Sequence, residues 1–182
     1  MRRRLMARRV TPATAVPISY AANRSAIADI AAHLARCDAQ FIPPLSTRVE
    51  LDVYAAKIAA HAERFEAWAE DGLVGLIAVY CNDAARQTGF ITNVSVVPEQ
   101  SGRGIATRLL RDCIDHVRRA RFALLSLRVG QGNGTAIRLY WKCGFKVAAA
   151  AGAVAAAAAA AEKSDIIMTL ELKEVSERHA RL

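Results

Sequence analysis

The stretch Val94-Ser95-Val96-Val97-Pro98-Glu99-Gln100-Ser101-Gly102-Arg103-Gly104-Ile105-Ala106 decides how this 182-residue sequence folds. It begins as an apolar strand, passes through a Gly-x-Gly turn and ends as the first turn of an amphipathic helix. The first amides of a helix have no partner within it, and the helix dipole adds partial positive charge there. Glycine lets the backbone approach a ligand closely. The stretch therefore predicts a site for a phosphate-bearing ligand at residues 101–106.

Helical and strand periodicities alternate on both sides of this turn. Helical patterns, the last of them followed by a glycine suited to the C′ position, cover Ser25–Cys37, Leu51–Ala62, Ile105–Arg121 and Thr135–Cys143. Strand patterns cover Phe65–Ala69, Leu73–Cys81, Phe90–Val97, Leu124–Val129, Phe145–Val147 and Ile166–Leu172, which ends the sheet. The strand Leu73–Cys81 is nearly all apolar, which predicts burial on both faces. Because a helix connects the third and fourth strands, we expect those two to be parallel neighbours.

One domain accounts for most of the chain, since 182 residues can bury a core without disulfides or metals. We expect it to span residues 18–173, with an alanine-rich insertion at residues 148–161 that lies outside the site. Residues 1–17 form a basic arm, expected to be disordered because no aromatic residues interleave with its arginines. Residues 174–182 form a C-terminal tail. Most of the net charge of +8 comes from Arg2, Arg3, Arg4, Arg8 and Arg9.

The sequence favours a cytoplasmic protein with reduced cysteines and no metal. It shows no secretory signal, and no apolar run reaches the ~18 residues that a membrane span needs. A reducing compartment is therefore the expected one. There is no Cys-x-x-Cys, and the cysteines are too widely spaced for a zinc site: Cys37, Cys81, Cys113 and Cys143.

The Gly-x-Gly turn fits neither of two common nucleotide-binding motifs. A P-loop requires Gly-x-x-x-x-Gly-Lys followed by Ser or Thr, which the sequence lacks. The dinucleotide motif Gly-x-Gly-x-x-Gly matches at Gly102 and Gly104, but Thr107 stands at the third glycine position. Alone, the turn is equally compatible with a strand-to-helix connection that binds nothing.

A second motif follows one strand later, Asn133-Gly134-Thr135-Ala136-Ile137-Arg138-Leu139-Tyr140-Trp141-Lys142-Cys143-Gly144-Phe145. Together the two motifs resemble the GCN5-related N-acetyltransferase (GNAT) superfamily. That family combines Val-x-Pro, Arg/Gln-Gly-x-Gly-Ile-Gly/Ala and Asn-x-x-Ala-Ile-x-Leu-Tyr-x-x-x-Gly-Phe. The resemblance covers residues 18–172. It implies an α/β fold with a central mixed, mostly antiparallel twisted sheet, flanking helices and splayed parallel strands at the CoA site.

The resemblance also implies a site for acetyl-CoA as co-substrate. Backbone amides of the turn would hold the pyrophosphate, the strand before it would pair with the pantetheine arm, and an asparagine would contact that arm. In this sequence these residues are Val94, Val96, Ser101, Gly102, Arg103, Gly104, Ile105, Ala106 and Asn133. Ser101 replaces the Arg or Gln usual in the family, so one side-chain contact to phosphate is lost.

Tyr140 is the catalytic residue that the resemblance implies, as the acid that protonates the CoA sulfur; the structural alternative is a core tyrosine packed under Phe145. Family members often carry a glutamate base on the strand before the turn. Residues 88–98 contain no carboxylate and no histidine. The alternatives are a water relayed by Thr92 and Asn93, or a carboxylate such as Asp83 or Glu99.

The resemblance further implies that the acceptor contacts Phe41, on the segment between the first two helices, and Asn93; the alternative for the Phe41 segment is a hydrophobic plug over the core. Trp68 and Tyr80 are further candidates for the same pocket. The histidines are scattered along the chain, and none of them is expected to be catalytic: His33, His61, His116 and His179.

The sequence thus predicts an acetyltransferase that moves acetyl from acetyl-CoA to a primary amine of an unidentified acceptor by direct attack in a ternary complex. A non-catalytic CoA-binding or partner-binding module is the alternative, because the strand carries no base. A small-molecule amine is the expected acceptor, neither a membrane nor nucleic acid is expected as a partner, and a homodimer is left open. Nucleic-acid binding by the basic arm is a third hypothesis.

Overall fold

The computed structural model of the chain describes residues 17–148 and 165–172. The strands are β1 (Ser19–Ala22), β2 (Glu63–Ala69), β3 (Gly72–Tyr80), β4 (Thr88–Val96), β5 (Leu124–Gly130), β6 (Lys146–Val147) and β7 (Asp165–Glu171). The helices are α1 (Ile27–Cys37), α2 (Leu51–His61), α3 (Ile105–Arg119) and α4 (Gly134–Lys142). Outside the described residues lie nearly all of the basic arm and of the alanine-rich insertion, and the whole C-terminal tail with His179.

The seven strands follow the order β1-β2-β3-β4-β5-β7-β6 across one sheet. Every neighbouring pair is antiparallel except β4 and β5, which run parallel as predicted. The expected mixed, mostly antiparallel sheet is confirmed. The last strand does not end the sheet, because β7 pairs along its whole length with β5 and leaves the two-residue β6 at the edge.

Strand β1 was not predicted from the sequence. Its four residues pair antiparallel with β2, from Ser19 opposite Trp68 to Ala22 opposite Phe65. Three of the four are exposed, so the strand carries no alternating apolar pattern that could identify it. Its strand conformation depends on the partner edge that β2 provides.

Two hydrophobic clusters cover the two faces of the sheet. One contains the buried stripe of α3, formed by Ile105, Leu109, Leu110, Cys113, Ile114 and Val117, together with Ile137 and Tyr140 of α4. The other contains residues of α1 and α2. Strand β3 is buried from Leu73 to Val79, which confirms that it packs on both faces. Ile27, at the start of α1, is 50 % exposed, because the buried face of the helix runs through Ile30, His33, Leu34 and Cys37.

Strand β4 contains a bulge at the point where the sheet opens. Its register against β3 shifts by one residue between Ile91 and Asn93, so Thr92 is the extra residue. The parallel pairing between β4 and β5 ends at Ile91 opposite Leu127. From Thr92 onward, in the part of the chain that the structure describes, β4 has no strand neighbour on this side. The expected splay of the parallel strands is confirmed.

Other features of the described residues bear on cofactors and partners. All four cysteines are free thiols. Within residues 17–148 and 165–172, no three His, Cys, Asp or Glu side chains are grouped so that they could hold a metal ion. None of the helices in these ranges has both the length and the apolar character needed to cross a membrane.

Candidate functional site

The glycine-rich turn has the geometry that the sequence predicted. A short 3₁₀ turn at Pro98–Gln100 follows β4, Gly102 and Gly104 adopt φ of +77° and +78°, and α3 begins at Ile105. An added Cβ would meet no atom within 4 Å at either glycine. Glycine is therefore required here by the left-handed backbone conformation, and the space above the turn is open to a ligand.

The amides at the start of α3 are available for an anion. Those of Gly104, Ile105 and Ala106 have no hydrogen-bond partner within the described residues, as expected at a helix N-terminus. The amide of Ser101 is already used, because it donates to the carbonyl of Pro98 at 3.1 Å. The available amides of the predicted set therefore begin after Ser101. The Arg103 guanidinium donates to Oε1 of Gln100, which holds its side chain beside the turn.

The open edge of β4 presents alternate backbone groups. Val97 donates its amide to the carbonyl of Val74 on β3 at 2.9 Å, so by alternation the backbone groups of Val94 and Val96 face away from β3. The side chain of Gln40 confirms this direction, because its Nε2 donates to the carbonyl of Val96 at 3.0 Å. The predicted pantetheine-binding groups thus lie on the side where β5 has diverged.

Asn133 and Tyr140 lie at the two ends of α4. Asn133 caps the helix, since its Oδ1 accepts the amide of Ala136 at 3.1 Å. Tyr140 is 6 % exposed and packs against Phe145 with ring centroids 5.9 Å apart. Burial raises the pKa of Tyr140 above its ordinary value, so the phenol keeps its proton at neutral pH. Both the predicted acid and the structural alternative under Phe145 fit this position.

A buried polar cluster joins α1 to β4. His33 Nε2 lies 2.8 Å from Ser95 Oγ, which lies 2.7 Å from Asn93 Oδ1. The other ring nitrogen of His33 lies 3.1 Å from the carbonyl of Leu73. Burial lowers the pKa of His33 to about 4, which makes the ring neutral at neutral pH. The thiol of Cys37, 3.6 Å from His33 Nε2, completes the cluster.

Two tyrosines extend this cluster toward the bulge in β4. The hydroxyl of Tyr54 donates to the carbonyl of Thr92 at 2.8 Å. Burial raises the pKa of Tyr54 to about 12, while the hydrogen bond to Thr92 and the nearby side-chain amide of Asn93 oppose the shift. The hydroxyl of Tyr80 and Nδ2 of Asn93 are buried without a hydrogen-bond partner. Buried polar groups are nearly always paired, so two orphans beside the splay mark a place for a ligand or water.

The acceptor segment predicted around Phe41 lies over the splay. Phe41 packs against both hydrophobic clusters, and Gln40 reaches Val96 on β4. On the other side, the carbonyl of Ile42 is 3.4 Å from where a Cβ on Gly130 of β5 would lie. Residues 40–42 therefore bridge the diverging ends of β4 and β5. Trp68 packs against the same cluster as Phe41, and its indole nitrogen is used by Glu66 on β2.

The two carboxylates suggested as bases are held elsewhere. Asp83 accepts the amides of residues 85, 87 and 88 in the loop before β4. Glu99 lies 3.5 Å from the guanidinium of Arg36 on the surface. Neither carboxylate has a contact with Thr92 or Asn93. The structure therefore leaves neutral polar groups at the position where the sequence lacked a base.

Sequence reasoning missed His33 and Tyr54 as members of the site. His33 occupies a position among Ile30, Leu34 and Cys37 on the buried face of α1. A histidine within an apolar helical stripe requires a buried polar partner, and that signal was present in the sequence. The partner, Ser95, is 62 positions away, which periodicity within one element does not reveal.

Comparisons with known proteins agree with this geometry. The model of the acetyltransferase (GNAT) family matches residues 29–145. No curated protein sequence matches the chain significantly. Several solved structures share the fold at low sequence identity. One of them is the ribosomal-protein-S18-alanine N-acetyltransferase of Escherichia coli. That structure is 19 % identical with a TM-score of 0.66, and the match covers 91 % of this chain and 100 % of the other.

Two further similar structures contain the nucleotide. The yncA structure of Salmonella typhimurium, with its cofactor acetyl-CoA, is 21 % identical with a TM-score of 0.64 and matches over 90 % of this chain and 97 % of its own. The Bacillus subtilis acetyltransferase in complex with CoA is 18 % identical with a TM-score of 0.62, over 86 % of this chain and 100 % of its own.

Proposed function

The chain belongs to the GNAT acetyltransferase family, and on that premise we propose that it moves the acetyl group of acetyl-CoA to a primary amine by direct attack in a ternary complex. The observation that carries the proposal is the open edge of β4, which leads into a turn with unpaired helix amides. An extended, amide-bearing chain fits the first feature and a phosphate fits the second. One elongated ligand can use both, because they lie on one continuous stretch.

At the CoA end, backbone groups do most of the binding. Val94 and Val96 hold the pantetheine arm through their outward-facing backbone groups, and Asn133 contacts it through Nδ2, since its Oδ1 caps α4. Residues 102–106 bind the pyrophosphate through amides, and Ser101 contributes its hydroxyl. The bound acetyl-CoA supplies the activated acetyl thioester.

Tyr140 acts as the general acid at the sulfur. Expulsion of CoA leaves a thiolate, and the Tyr140 phenol, which is protonated at neutral pH, donates a hydrogen bond to it. Because burial raises the pKa of Tyr140, this hydrogen bond is favoured over a free phenolate until the sulfur takes up its proton. The attacking amine must arrive as the free base. Its proton then passes to water beside Thr92 and Asn93, because Asp83 and Glu99 are engaged elsewhere.

The acceptor occupies the region between Phe41 and the tyrosine pair, with Asn93 as a direct contact. Two cations lie beside the tyrosine pair: Arg48 opposes the rise in the pKa of Tyr54, and Lys57 Nζ lies 5.9 Å from the ring of Tyr80. A small-molecule amine remains the predicted acceptor. The homodimer and the cytoplasmic location also stay predictions from the sequence.

One observation favours the alternative of a non-catalytic CoA-binding module. No carboxylate of the described residues contacts Thr92 or Asn93, so proton removal depends on water alone. Such a module would bind acetyl-CoA tightly and release no thiol in the presence of amines.

Binding and turnover of the purified chain test the proposal. Calorimetry with acetyl-CoA is expected to show binding. Thiol release is then followed with spermidine, glucosamine and a peptide beginning with alanine, the last because the Escherichia coli enzyme acts on an alanine of a ribosomal protein. Tyr140→Phe should lower kcat on the order of 10²-fold while leaving the KM for acetyl-CoA unchanged.

Tyr20→Phe is the matched control, because Tyr20 is 40 % exposed on β1 and stacks with Arg108 at the surface. It should leave kcat unchanged. Binding without thiol release from any amine would support the non-catalytic alternative. Wild-type turnover in Tyr140→Phe would remove Tyr140 from the mechanism and leave acetyl transfer standing.

A further inference from the structure

The hydrogens of the buried cluster can be assigned by counting donors and acceptors. The carbonyl of Leu73 can only accept, so His33 Nδ1 carries the proton of that 3.1 Å hydrogen bond. His33 is 1 % exposed, and no carboxylate of the described residues contacts its ring. A buried, unpaired imidazolium is costly, so the ring is neutral and its Nε2 is an acceptor.

The acceptor at Nε2 fixes the next hydrogen bond. Ser95 Oγ lies 2.8 Å from Nε2 and supplies its single proton there. Ser95 then has no proton left for the atom of Asn93 that lies 2.7 Å from its oxygen. That atom must itself be a donor, which only the nitrogen of the Asn93 amide can be. The two ends of an asparagine amide have the same shape, so a half-turn of the amide satisfies the count.

We propose that His33 and Ser95 are positioning residues that hold Asn93 with its Nδ2 on Ser95 and its Oδ1 toward Tyr54 and Tyr80, where Oδ1 accepts a hydrogen bond from the N–H of the acceptor amine. The inference rests on the proposed function, and it specifies that Asn93 accepts a hydrogen bond from the acceptor substrate and does not donate one to it. It also removes the orphaned amide nitrogen, since Nδ2 gains a partner. What stays open is a carbonyl oxygen, which favours donors such as amines.

Cys37 offers the rival arrangement. Its Sγ lies 3.6 Å from His33 Nε2, and a thiol proton donated there would free the Ser95 proton for Asn93 Oδ1. The amide nitrogen would then face the tyrosines and favour an acceptor such as a carboxylate or carbonyl group. The thiol is a weak donor at a longer distance than the 2.8 Å contact of Ser95, which favours the first arrangement.

Nuclear magnetic resonance of the ¹⁵N-labelled full chain decides between the two without any substrate. Asn93→Asp identifies the side-chain amide signals by their loss. We expect nuclear Overhauser effects from these amide protons to the β-protons of Ser95, and His33 protonated at Nδ1 only. Effects to the ring protons of Tyr54 or Tyr80 in place of those to Ser95 would overturn the proposal in favour of the rival.

Kinetics test whether the oriented oxygen serves the amine, using whichever of spermidine, glucosamine or the alanine peptide is turned over fastest. Asn93→Ala should raise the KM for the amine about tenfold and leave the KM for acetyl-CoA unchanged. Ser95→Ala should raise it less, and should add nothing in the Asn93→Ala background, because Ser95 acts through Asn93.

Ser126→Ala is the matched control, a buried serine on β5 whose hydroxyl bonds to the carbonyl of Gly89 at 3.3 Å. It should change neither KM. Equal effects of Ser95→Ala with and without Asn93 would overturn the positioning role. If the wild type turns over none of the amines, the proposed function fails, and the resonance experiment still decides the orientation of Asn93.

Discussion

Two buried polar clusters on this sheet differ in how completely they are satisfied. The Glu66 cluster surrounds a carboxylate on β2 that is fully buried and accepts from the amides of Arg24 and Ser25, the Ser25 hydroxyl and the Trp68 indole, all within 3.1 Å. The Asn93 cluster, formed by His33, Cys37, Asn93 and Ser95 and extended by Tyr54, Tyr80 and Thr92, retains two buried polar atoms without a partner. Beside Glu66, Nε of Arg64 is also buried without a hydrogen bond, but it is ion-paired with Oε1 of Glu66 at 3.5 Å.

We interpret the Glu66 cluster as structural and the Asn93 cluster as part of the functional site. Glu66 attaches the chain entering α1 to the second strand, and its oxygens are used in doing so. At Asn93 the same fold leaves hydrogen-bonding capacity beside an open strand edge. Unpaired buried groups cost free energy, so they are retained where a ligand uses them.

Removal of Glu66 is expected to have the largest effect on stability. Glu66→Ala leaves the buried Arg64, 3.5 Å away, and four donors without their acceptor, so the free energy of unfolding should fall by about 3–5 kcal/mol. Chemical denaturation measures it. Glu66→Gln keeps one acceptor oxygen and should cost less. The distinction between the clusters would fail if Asn93→Ala destabilised the chain as much as Glu66→Ala.

Acid should destabilise the protein through His33. Its pKa is about 4 when folded against 6.5 unfolded, so its contribution is complete above pH 6.5 and is lost as the pH falls toward 4. The unfolded chain binds the proton in that window, and about 3 kcal/mol of stability should disappear. Denaturation at several pH values should show this slope in the exposed His61→Gln control and lose it in His33→Gln. An unchanged slope in His33→Gln would assign acid sensitivity to other groups.

Two glycines allow the same comparison at the level of the backbone, and their substitution is expected to have the smallest effect on stability. Gly72, in the β2–β3 turn, and Gly104 both have positive φ and open space around them, at +115° and +78°. Alanine should cost each about 1–2 kcal/mol of stability. Only Gly104→Ala should also weaken acetyl-CoA binding, about tenfold, because the added Cβ would occupy open space in which the pyrophosphate is proposed to bind. Equal binding by both variants in calorimetry would place the nucleotide elsewhere.

Much of the fold could be predicted because strong patterns lie within single elements. The apolar run of β3 and the stripe of α3 follow directly from local sequence, and the parallel pairing of β4 with β5 follows from the helix between them. Strand β1 and the insertion of β7 between β5 and β6 could not be predicted in this way. Both depend on which edge another strand leaves free, and no local pattern records that.

The candidate site divides in the same way. The turn at Gly102 and Gly104 is a local feature, and its left-handed backbone agrees with the glycine spacing. The cluster of His33, Ser95 and Asn93 exists only because α1 packs across β4, and its members are far apart in the sequence. Their hydrogen bonds are therefore a property of the tertiary structure.

The hydrogen bond from Gln40 to the carbonyl of Val96 has a thermodynamic consequence. An acetyl-CoA arm paired with that carbonyl competes directly with Gln40, the neighbour of Phe41 in the acceptor segment. A change that weakens the contact of the acceptor segment with β4 then favours binding of the acetyl-CoA arm. Binding of the arm in turn releases the segment, and the coupling free energy is the same in both directions. The binding of the two substrates would thus be thermodynamically coupled through one carbonyl oxygen, and this coupling would affect the order in which they bind.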